Sequence, residues 1–282
     1  MKKDIKIISL DLDGTLLDSR KRLSEKNRIV LQAAAEKGVL IVPTTGRFFG
    51  MMPEAIRELP FVRYAITING AQVYDRQTDT AIVREEIPLD MAIDLMRLID
   101  GYDVIYDCYR GNWGWMTGAL QEKAEFYAPD VHYLKMVREF RNSVPDLKAY
   151  LESPRAEGDV QKVMLFSRNT QGSESVVKAV AEAVAEKFPL IKATSSTWNN
   201  LELNIATAHK GNSLKRFAEY LGFTLDNCMA LGEGTNDLTM IEAAGIGVAM
   251  SNAHSSVLSA ADFVPVSNDE DGVAEAINRF VL

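Results

Sequence analysis

Two acidic side chains near the start of the chain could carry chemistry. Asp11 and Asp13 directly follow the apolar run Ile5 to Leu10, and Gly14 allows a tight turn out of that run. Residues two apart on a strand point to the same side, so both carboxylates would face one space if the strand geometry persists. Their mutual repulsion then requires a counterion, commonly a hard cation with oxygen ligands. A bare D-x-D pair can also be an Asx turn with solvated aspartates.

Four other polar clusters could supply hydroxyls, amides, cations and carboxylates to the same place. In isolation each has an ordinary structural explanation, because a strand end, a turn or a lysine before an exposed helix is common. The clusters are Thr44-Thr45-Gly46-Arg47, Asn69-Gly70-Ala71, His209-Lys210-Gly211 and Gly232-Glu233-Gly234-Thr235-Asn236-Asp237.

An alternation of strands and helices positions these clusters. Short β-branched runs predict strands, and apolar positions at helical spacing predict helices, the first running from an N-cap at Ser24 to Lys37 with Gly38 after it. The alternation favours right-handed βαβ units and a parallel sheet, with ligands at the carboxyl ends of the strands. The predicted strands are 5–10, 39–42, 64–68, 228–231 and 246–249, and further helices are predicted over 211–221 and up to 244.

The middle of the chain has a different pattern, with denser aromatic residues and turn formers. Its predicted strands are 72–74, 82–83, 104–109, 163–167 and 201–205, and its predicted helices are 89–99 and 176–187. We therefore predict an α/β fold in which a Rossmann-like parallel-sheet core is formed by residues 1–83 and 208–282. A second α/β domain over residues 84–207 is inserted into this core.

Composition limits the classes of protein that remain. The chain has 282 residues, a formal net charge of -8 and two cysteines. The acidic balance argues against nucleic-acid binding by bulk charge, and two cysteines do not make a disulfide framework or a zinc site. No apolar run reaches the ~18 residues of a membrane span. We expect a cytoplasmic protein, either an enzyme or a binding protein, that acts without nucleic acid or membrane.

The motifs, in their order along the chain, resemble those of the haloacid dehalogenase (HAD) superfamily of phosphohydrolases. Asp11-Leu12-Asp13-Gly14-Thr15 opens the series and Gly232 to Asp237 closes it. Within the superfamily the chain resembles the Cof-like branch, subclass IIB, in which a large α/β cap is inserted after the third strand of the HAD core. The likeness covers essentially the whole chain, including the tail Glu270-Asp271-Gly272-Val273.

The resemblance implies the catalytic roles. Asp11 would be the nucleophile that forms an aspartyl-phosphate, and Asp13 would protonate the leaving oxygen and then activate water. Thr45 would hold phosphoryl oxygens, and Lys210 would pair with Asp11 and the transferring group. Thr44 stands where the family usually has alanine, which should matter little if its side chain faces away.

The same resemblance implies binding roles. Gly46, Arg47, Asn69 and Asn236 are candidate substrate-binding residues. The cofactor would be Mg²⁺, with candidate ligands Asp11, Asp13, Glu233 and Asp237.

Glu233 is the one consequential departure from the family pattern. It replaces an aspartate that normally binds Mg²⁺, and its side chain is one methylene longer. Mg²⁺ demands near-octahedral geometry at about 2.0–2.1 Å, so the longer arm must fold back, bind through water or shift the ion. Three interpretations stay open: a natural variant that binds Mg²⁺, a substitution made to silence the enzyme, and a poorly active member of the family.

The predicted function is hydrolysis of small phosphorylated metabolites, with sugar phosphates as the leading class, by a monomer or homodimer. The alternatives are a phosphotransferase or phosphomutase on sugar phosphates, and a weakly active regulatory or binding protein. The inserted domain would select the leaving group. Candidates for its binding surface are Arg110, Trp113, Trp115, Asn199, Asn200 and Glu202, although packing and turns also explain the tryptophans and asparagines.

Overall fold

The computed structural model describes residues 4–153 and 158–282. The chain divides into two compact units, one formed by Met1–Arg84 and Thr207–Leu282 and the other by Glu85–Ala206. The chain thus divides after residues 84 and 206, where the sequence prediction had 83 and 207. Among the described residues, no helix is long and apolar enough to cross a membrane.

The strands are short, and most are buried. In chain order they are β1 (Ile7–Leu10), β2 (Leu40–Pro43), β3 (Tyr64–Thr67), β4 (Gln72–Asp75), β5 (Thr80–Arg84), β6 (Val104–Arg110), β7 (Trp113–Thr117), β8 (Arg141–Val144), β9 (Lys162–Ser167), β10 (Ile191–Thr194), β11 (Asn200–Ile205), β12 (Cys228–Gly232) and β13 (Ile246–Ala249).

The α-helices range from single turns to 14 residues. They are α1 (Glu25–Glu36), α2 (Glu54–Arg57), α3 (Leu89–Ile99), α4 (Gly118–Gln121), α5 (Val131–Glu139), α6 (Leu147–Glu152), α7 (Glu174–Lys187), α8 (Lys210–Tyr220), α9 (Leu238–Ala243), α10 (Ser255–Ala260) and α11 (Gly272–Phe280).

The first unit contains a parallel sheet with strand order β13-β12-β1-β2. The central strand β1 has all four residues buried, because both of its faces are covered, as is typical of a doubly wound sheet. A parallel bridge between Thr44 and Ile66 places β3 beside the end of β2, and β3 continues into the antiparallel sheet β3-β4-β5. The prediction of a parallel α/β core is confirmed.

The first helix, α1, begins and ends where the sequence predicts. The Ser24 hydroxyl accepts the backbone N–H of Asn27 at 3.1 Å, which caps α1, and Gly38 after the helix has a φ of +84°. The helix packs its buried face, including Val30, Leu31 and Ala34, into the core of the first unit.

The second unit is built on a six-stranded sheet with order β10-β11-β9-β6-β7-β8. Its pairs are antiparallel except for β7 with β8, which run parallel. One apolar cluster joins β6, β9 and β11 to α3, α6 and α7, and a second joins β6, β7 and β9 to α5. The unit is therefore an α/β domain of its own. The helix α5 and the strands β7 and β8 were not predicted from the sequence.

Candidate active site

A buried lysine lies between two carboxylates at the carboxyl end of the parallel sheet. The Nζ atom of Lys210 is 2.7 Å from Oδ1 of Asp11 and 2.5 Å from Oδ1 of Asp237. The side chains of Lys210 and Asp237 are each 1% exposed, and that of Asp11 is 12% exposed. The structure thus brings together three predicted site residues that are 199 and 27 positions apart in the sequence.

Each of these three residues is fixed by the end of a regular element. Asp11 follows β1 and its N–H donates to the carbonyl of Leu231 in β12 at 3.0 Å. Lys210 begins α8, and its neighbour His209 caps this helix by accepting the N–H of Asn212 on Nδ1 at 3.1 Å. The site is therefore assembled by the sheet and by the packing of helix starts at its carboxyl edge.

Asp237 also organises the turn after β12. Its Oδ2 atom accepts the backbone N–H groups of Glu233 and Gly234, each at 2.9 Å. Gly232 is required here, because a Cβ atom at that position would lie 2.4 Å from Cβ of Asp237. One oxygen of Asp237 thus binds the Lys210 ammonium, and the other holds the backbone of the turn after β12.

Burial and ion pairing act in opposite directions on the pKa values of Asp11 and Lys210. Burial raises the pKa of Asp11 to about 7, although the charge of Lys210 lowers it. For Lys210, burial lowers the pKa, but the charges of Asp11 and Asp237 and the hydrogen bonds to them outweigh burial and raise it. Lys210 therefore stays protonated and supplies a fixed positive charge.

Glu233 completes a group of three carboxylates. Asp11, Glu233 and Asp237 each offer an oxygen, and these oxygens lie within 4.8 Å of one another. Burial and then the charge of Asp237 raise the pKa of Glu233, whereas Lys210 and Lys21 lower it. Three oxygen donors at this spacing are the ligand type that Mg²⁺ prefers, so these residues fit the predicted cofactor.

The longer arm of Glu233 is accommodated by a glycine. A Cβ atom at Gly14 would lie 3.0 Å from Cγ and 3.2 Å from Cδ of Glu233. Gly14 also has a φ of +77°, a backbone conformation that a side chain disfavours. The glutamate thus occupies space that any larger residue after Asp13 would take.

Asp13 belongs to the same edge but has different partners. Its Oδ2 atom accepts from Nη2 of Arg47 at 2.8 Å, and its Oδ1 atom forms an ion pair with Nζ of Lys21 at 2.8 Å. Its side chain is not one of the three carboxylates grouped around Asp11. The predicted metal ligands therefore divide into a group of three and a separate carboxylate held by two cations.

The second predicted cluster forms a compact turn between β2 and β3. The Thr45 hydroxyl accepts the N–H of Arg47 at 3.3 Å, and the Thr45 carbonyl accepts the N–H of Asn69 at 3.1 Å. Gly46 leaves room for Asn69, because a Cβ atom there would lie 2.7 Å from Oδ1 of Asn69. Thr45, Gly46, Arg47 and Asn69 are therefore neighbours, as a shared binding role requires.

Thr44 faces away from this turn. Its buried hydroxyl lies 2.6 Å from that of Ser9 and donates to the carbonyl of Val42 at 3.1 Å. The condition under which threonine in place of alanine should matter little, a side chain that faces away, is met by these contacts.

The backbone around Asn69 is held in an unusual conformation. Ile68, Asn69 and Gly70 have φ values of +55°, +58° and +97°. The left-handed region is unfavourable for a β-branched residue such as Ile68, so the surroundings must enforce it. A Cβ atom at Gly70 would lie 2.6 Å from the carbonyl of His209, so this turn packs closely against the start of α8.

Asn236 lies in the turn after β12. It is exposed, and its Oδ1 atom lies beside Gly234, where a Cβ atom would be 2.6 Å away. Within residues 4–153 and 158–282, no hydrogen bond joins Asn236 to Lys210. Its predicted role in substrate binding stays a prediction.

Several candidates of the inserted unit have structural partners. The buried Asn199 amide donates to the carbonyls of Tyr127 and Ser167, at 2.7 and 2.9 Å, and the Asn200 oxygen accepts backbone N–H groups of its own turn. The turn explanation therefore accounts for Asn200, whereas the Asn199 amide joins two carbonyls that are distant in the sequence.

The remaining candidates of this unit differ in exposure. Arg110 is buried and donates to the carbonyls of Leu151 and Gly158. The Trp115 ring stacks on Tyr150 at 4.4 Å, whereas Trp113 is 52% exposed. The partly buried Glu202 forms an ion pair with the buried Lys162 at 3.0 Å.

Sequence reasoning missed Lys21 and gave His209 no role of its own. Lys21 contacts Asp13 from a turn, and His209 fixes the start of α8 as its N-cap. An N-cap histidine has a weak sequence signal, because serine, threonine, aspartate and asparagine are the usual caps. Lys21 could have been noticed only as the residue that follows Asp18-Ser19-Arg20, a turn-forming stretch.

A parallel α/β core that places a D-x-D motif, a buried lysine and an acidic turn at one sheet edge defines a class of hydrolases. The chain belongs to the haloacid dehalogenase-like hydrolase family, whose family model matches residues 8–277.

Known relatives agree with this class. The chain is similar to the 5-amino-6-(5-phospho-D-ribitylamino)uracil phosphatase YcsE of Bacillus subtilis, with 30% identity over 279 residues covering 99% of this chain and 97% of YcsE. A haloacid dehalogenase-like hydrolase of Bacteroides thetaiotaomicron has a TM-score of 0.81 at 28% identity, over 98% of this chain and 99% of its own. The HAD subclass IIB sugar phosphatase BT4131 has the same fold, with a TM-score of 0.75 at 22% identity and 98% of both chains covered. The predictions of the family and of a HAD-type phosphatase are confirmed.

Proposed function

We propose that this chain is a Mg²⁺-dependent phosphatase that hydrolyses small phosphorylated metabolites, with sugar phosphates as the substrate class. One observation carries the proposal: Lys210 bridges Asp11 and Asp237 in the protein interior, with Glu233 completing a group of three carboxylates. A nucleophilic carboxylate, a fixed cation and a set of oxygen ligands are what phosphoryl transfer to a protein side chain needs.

In the first step, a carboxylate oxygen of Asp11 attacks the phosphorus atom and forms an aspartyl-phosphate. The bond between phosphorus and the bridging oxygen breaks, and Asp13 gives its proton to that leaving oxygen. Lys210 supports this step because its fixed charge, 2.7 Å from Asp11, stabilises negative charge that accumulates on the phosphoryl group.

In the second step, Asp13 takes a proton from a water molecule, whose oxygen attacks the phosphorus atom. The bond between phosphorus and Asp11 breaks, which releases inorganic phosphate and restores the Asp11 carboxylate. Asp13 is thereby protonated again for the next cycle, so acid and base functions alternate on one group.

The turn of Thr45, Gly46 and Arg47, with Asn69 beside it, would bind the phosphate group and the adjoining part of the substrate. Its hydroxyl, backbone N–H, guanidinium and amide groups lie at the same sheet edge as Asp13, to which Arg47 is bonded. Asp11, Glu233 and Asp237 would hold Mg²⁺, which when bound offsets the repulsion between a carboxylate nucleophile and a phosphate dianion. Asn236 would assist substrate binding.

The inserted unit, Glu85–Ala206, would select the leaving group. The name of YcsE specifies a substrate in which a phosphorylated ribityl chain is attached to a uracil ring. Phosphorylated sugars and sugar alcohols are therefore the compounds to try first. We place the enzyme in the cytoplasm, acting as a monomer or homodimer.

The decisive experiment measures phosphate release from p-nitrophenyl phosphate and from a panel of sugar, nucleotide and cofactor phosphates, with and without Mg²⁺. We expect Mg²⁺-dependent turnover that Asp11→Asn abolishes, because the amide removes the nucleophile without changing side-chain size. Asp226→Asn, which alters an exposed carboxyl group outside the cluster, should keep full activity.

Other outcomes would replace the proposal. Isomerised sugar phosphate in place of inorganic phosphate would indicate a phosphomutase. Binding of phosphates without any turnover across the panel would indicate a regulatory protein. Unchanged turnover in Asp11→Asn would exclude the aspartyl-phosphate mechanism.

A further inference from the structure

The segment after Asp13 forms a tight hairpin beside the candidate site. β-Bridges join Asp13 to Leu17 and Leu17 to Leu23. At the turn, the carboxylate of Asp18 accepts the backbone N–H groups of the residues on either side of Lys21, at 2.9 and 2.8 Å. Lys21 therefore has a defined place at the end of the hairpin.

The hairpin is fastened to the first unit. The N–H of Ser19 donates to Oδ1 of Asp269 at 2.7 Å, and the Asn268 amide donates to the carbonyl of Leu17 at 2.9 Å. These bonds come from the C-terminal part of the chain and hold both the stem and the turn of the hairpin. The base of the Lys21 side chain is thereby fixed, although the side chain itself is largely exposed.

Lys21 shares the Asp13 carboxylate with Arg47. The ammonium of Lys21 is 2.8 Å from Oδ1 and the guanidinium of Arg47 is 2.8 Å from Oδ2. Cations on both oxygens oppose rotation of the Asp13 carboxylate about its Cβ–Cγ bond more than a cation on one oxygen does. The pair of contacts therefore favours one orientation of the carboxylate plane.

The backbone of Lys21 is also unusual. Its φ of +60° lies in the left-handed region, which favours glycine or asparagine over lysine. A residue held in a disfavoured conformation next to a reactive carboxylate indicates a functional constraint.

We propose that Lys21 is a positioning residue for Asp13, and that it fixes the orientation in which this carboxylate exchanges protons. The proposal rests on the proposed function, in which Asp13 is the acid and base. Lys21 acts through Asp13, so its loss should slow turnover more than it weakens substrate binding.

The test compares Lys21→Gln and Lys21→Arg with the wild type in steady-state hydrolysis of p-nitrophenyl phosphate with Mg²⁺. We expect Lys21→Gln to lower kcat about fivefold, the size of effect that a partly exposed ion pair supports, with KM changed less than about twofold. Lys21→Arg should recover most of kcat, because it restores a cation at the same place. Equal kcat in Lys21→Gln and the wild type would overturn the proposal.

Arg20→Gln is the matched control. It removes the same charge from the exposed neighbour of Lys21 on the same turn, and within the described part of the chain Arg20 forms no ion pair. Its kcat should stay within about 1.5-fold of wild type. A loss equal to that of Lys21→Gln would assign the effect to hairpin charge in general and contradict a role through Asp13.

A second readout does not depend on activity. In metal-free protein labelled with aspartate carrying ¹³C in its carboxyl group, the Asp13 resonance is assigned by its absence in Asp13→Asn. Lys21→Gln should shift this resonance and Arg20→Gln should leave it in place, whereas an unmoved resonance in Lys21→Gln refutes the contact. A wild type that releases no phosphate defeats the proposed function, and the NMR comparison then still decides whether Lys21 positions Asp13.

Discussion

Replacing the buried lysine by methionine measures how much the carboxylates of the site depend on their counterion. Lys210→Met keeps an unbranched side chain and removes the ammonium that contacts Asp11 and Asp237. Because the Asp237 side chain is 1% exposed and that of Asp11 is 12% exposed, neither carboxylate can recover its charge stabilisation from water.

The expected cost follows from this burial. Removing one partner of a buried ion pair costs about 3–5 kcal/mol, because the charge that remains is uncompensated. Here two carboxylates remain and repel each other, so we expect about 4–5 kcal/mol at pH 8 without metal. An exposed pair contributes about 0–1 kcal/mol.

The cost should fall as the pH is lowered. Burial raises the pKa of Asp11 from 3.8 to about 7, and loss of Lys210 removes an influence that lowers it. A carboxyl group whose pKa is raised on folding destabilises the folded protein as the pH rises from the unfolded-state pKa through the folded-state pKa. Acidification from pH 8 to pH 5 therefore restores stability to the folded protein. The raised pKa of Lys210 contributes equally at both values, since both lie well below its ordinary pKa of 10.5.

The assay is urea unfolding in EDTA at pH 5 and pH 8, followed by far-UV circular dichroism. Tryptophan fluorescence separates the units, because Trp113, Trp115 and Trp198 all lie in the inserted one. The control is Lys215→Met on the same helix, where an exposed lysine lies 3.8 Å from Glu219, and it should cost under about 1 kcal/mol.

Two results would refute this reasoning. One is a cost for Lys210→Met as small as that of the Lys215→Met control. The other is an equal cost at pH 5 and pH 8, because the interpretation requires that a proton on Asp11 replace part of the lost charge.

Three further predictions concern Glu233, Gly14 and Arg141. Glu233→Asp should change the Mg²⁺ affinity, measured by calorimetry, less than about tenfold, because the glutamate already belongs to the group of three carboxylates. A gain in affinity of orders of magnitude would show that Glu233 impairs metal binding. Gly14→Ala should cost about 1–2 kcal/mol in thermal unfolding, since its φ is +77° and the new Cβ would press on Glu233; an unchanged midpoint contradicts this. Arg141→Met should destabilise the inserted unit by about 3–5 kcal/mol, because the buried Asp107 would lose the cation that lies 2.8 Å away. The measurement is a urea titration followed by tryptophan fluorescence, and a cost below about 1 kcal/mol would refute the prediction.

The structure also explains how the site takes a glutamate in place of the usual aspartate. The glutamate arm lies against Gly14, a residue that the D-x-D-G turn already requires to be small. The longer side chain therefore occupies space beside Gly14, and one of its oxygens lies within 4.8 Å of oxygens of Asp11 and Asp237. This agrees with the interpretation that the chain is a natural variant able to bind Mg²⁺, which the Glu233→Asp titration tests.

The sequence by itself determined the parts of the protein that local chemistry controls. A buried strand before Asp11, a serine cap before α1 and a glycine after it are signals carried by adjacent residues, and the structure has each of them. The order of the motifs also identified the family, because their residue types and relative positions along the chain are those of its phosphohydrolases.

Only the tertiary structure decided which side chains meet. The contact between Lys210 and Asp11 joins residues 199 positions apart, and the ion pair of Lys21 with Asp13 depends on a hairpin fastened by Asp269. Such contacts result from packing of distant elements, which spacing along the chain does not encode. For the same reason Asn199 and Arg110, which resembled ligand-binding residues, turned out to satisfy buried carbonyl groups of their own unit.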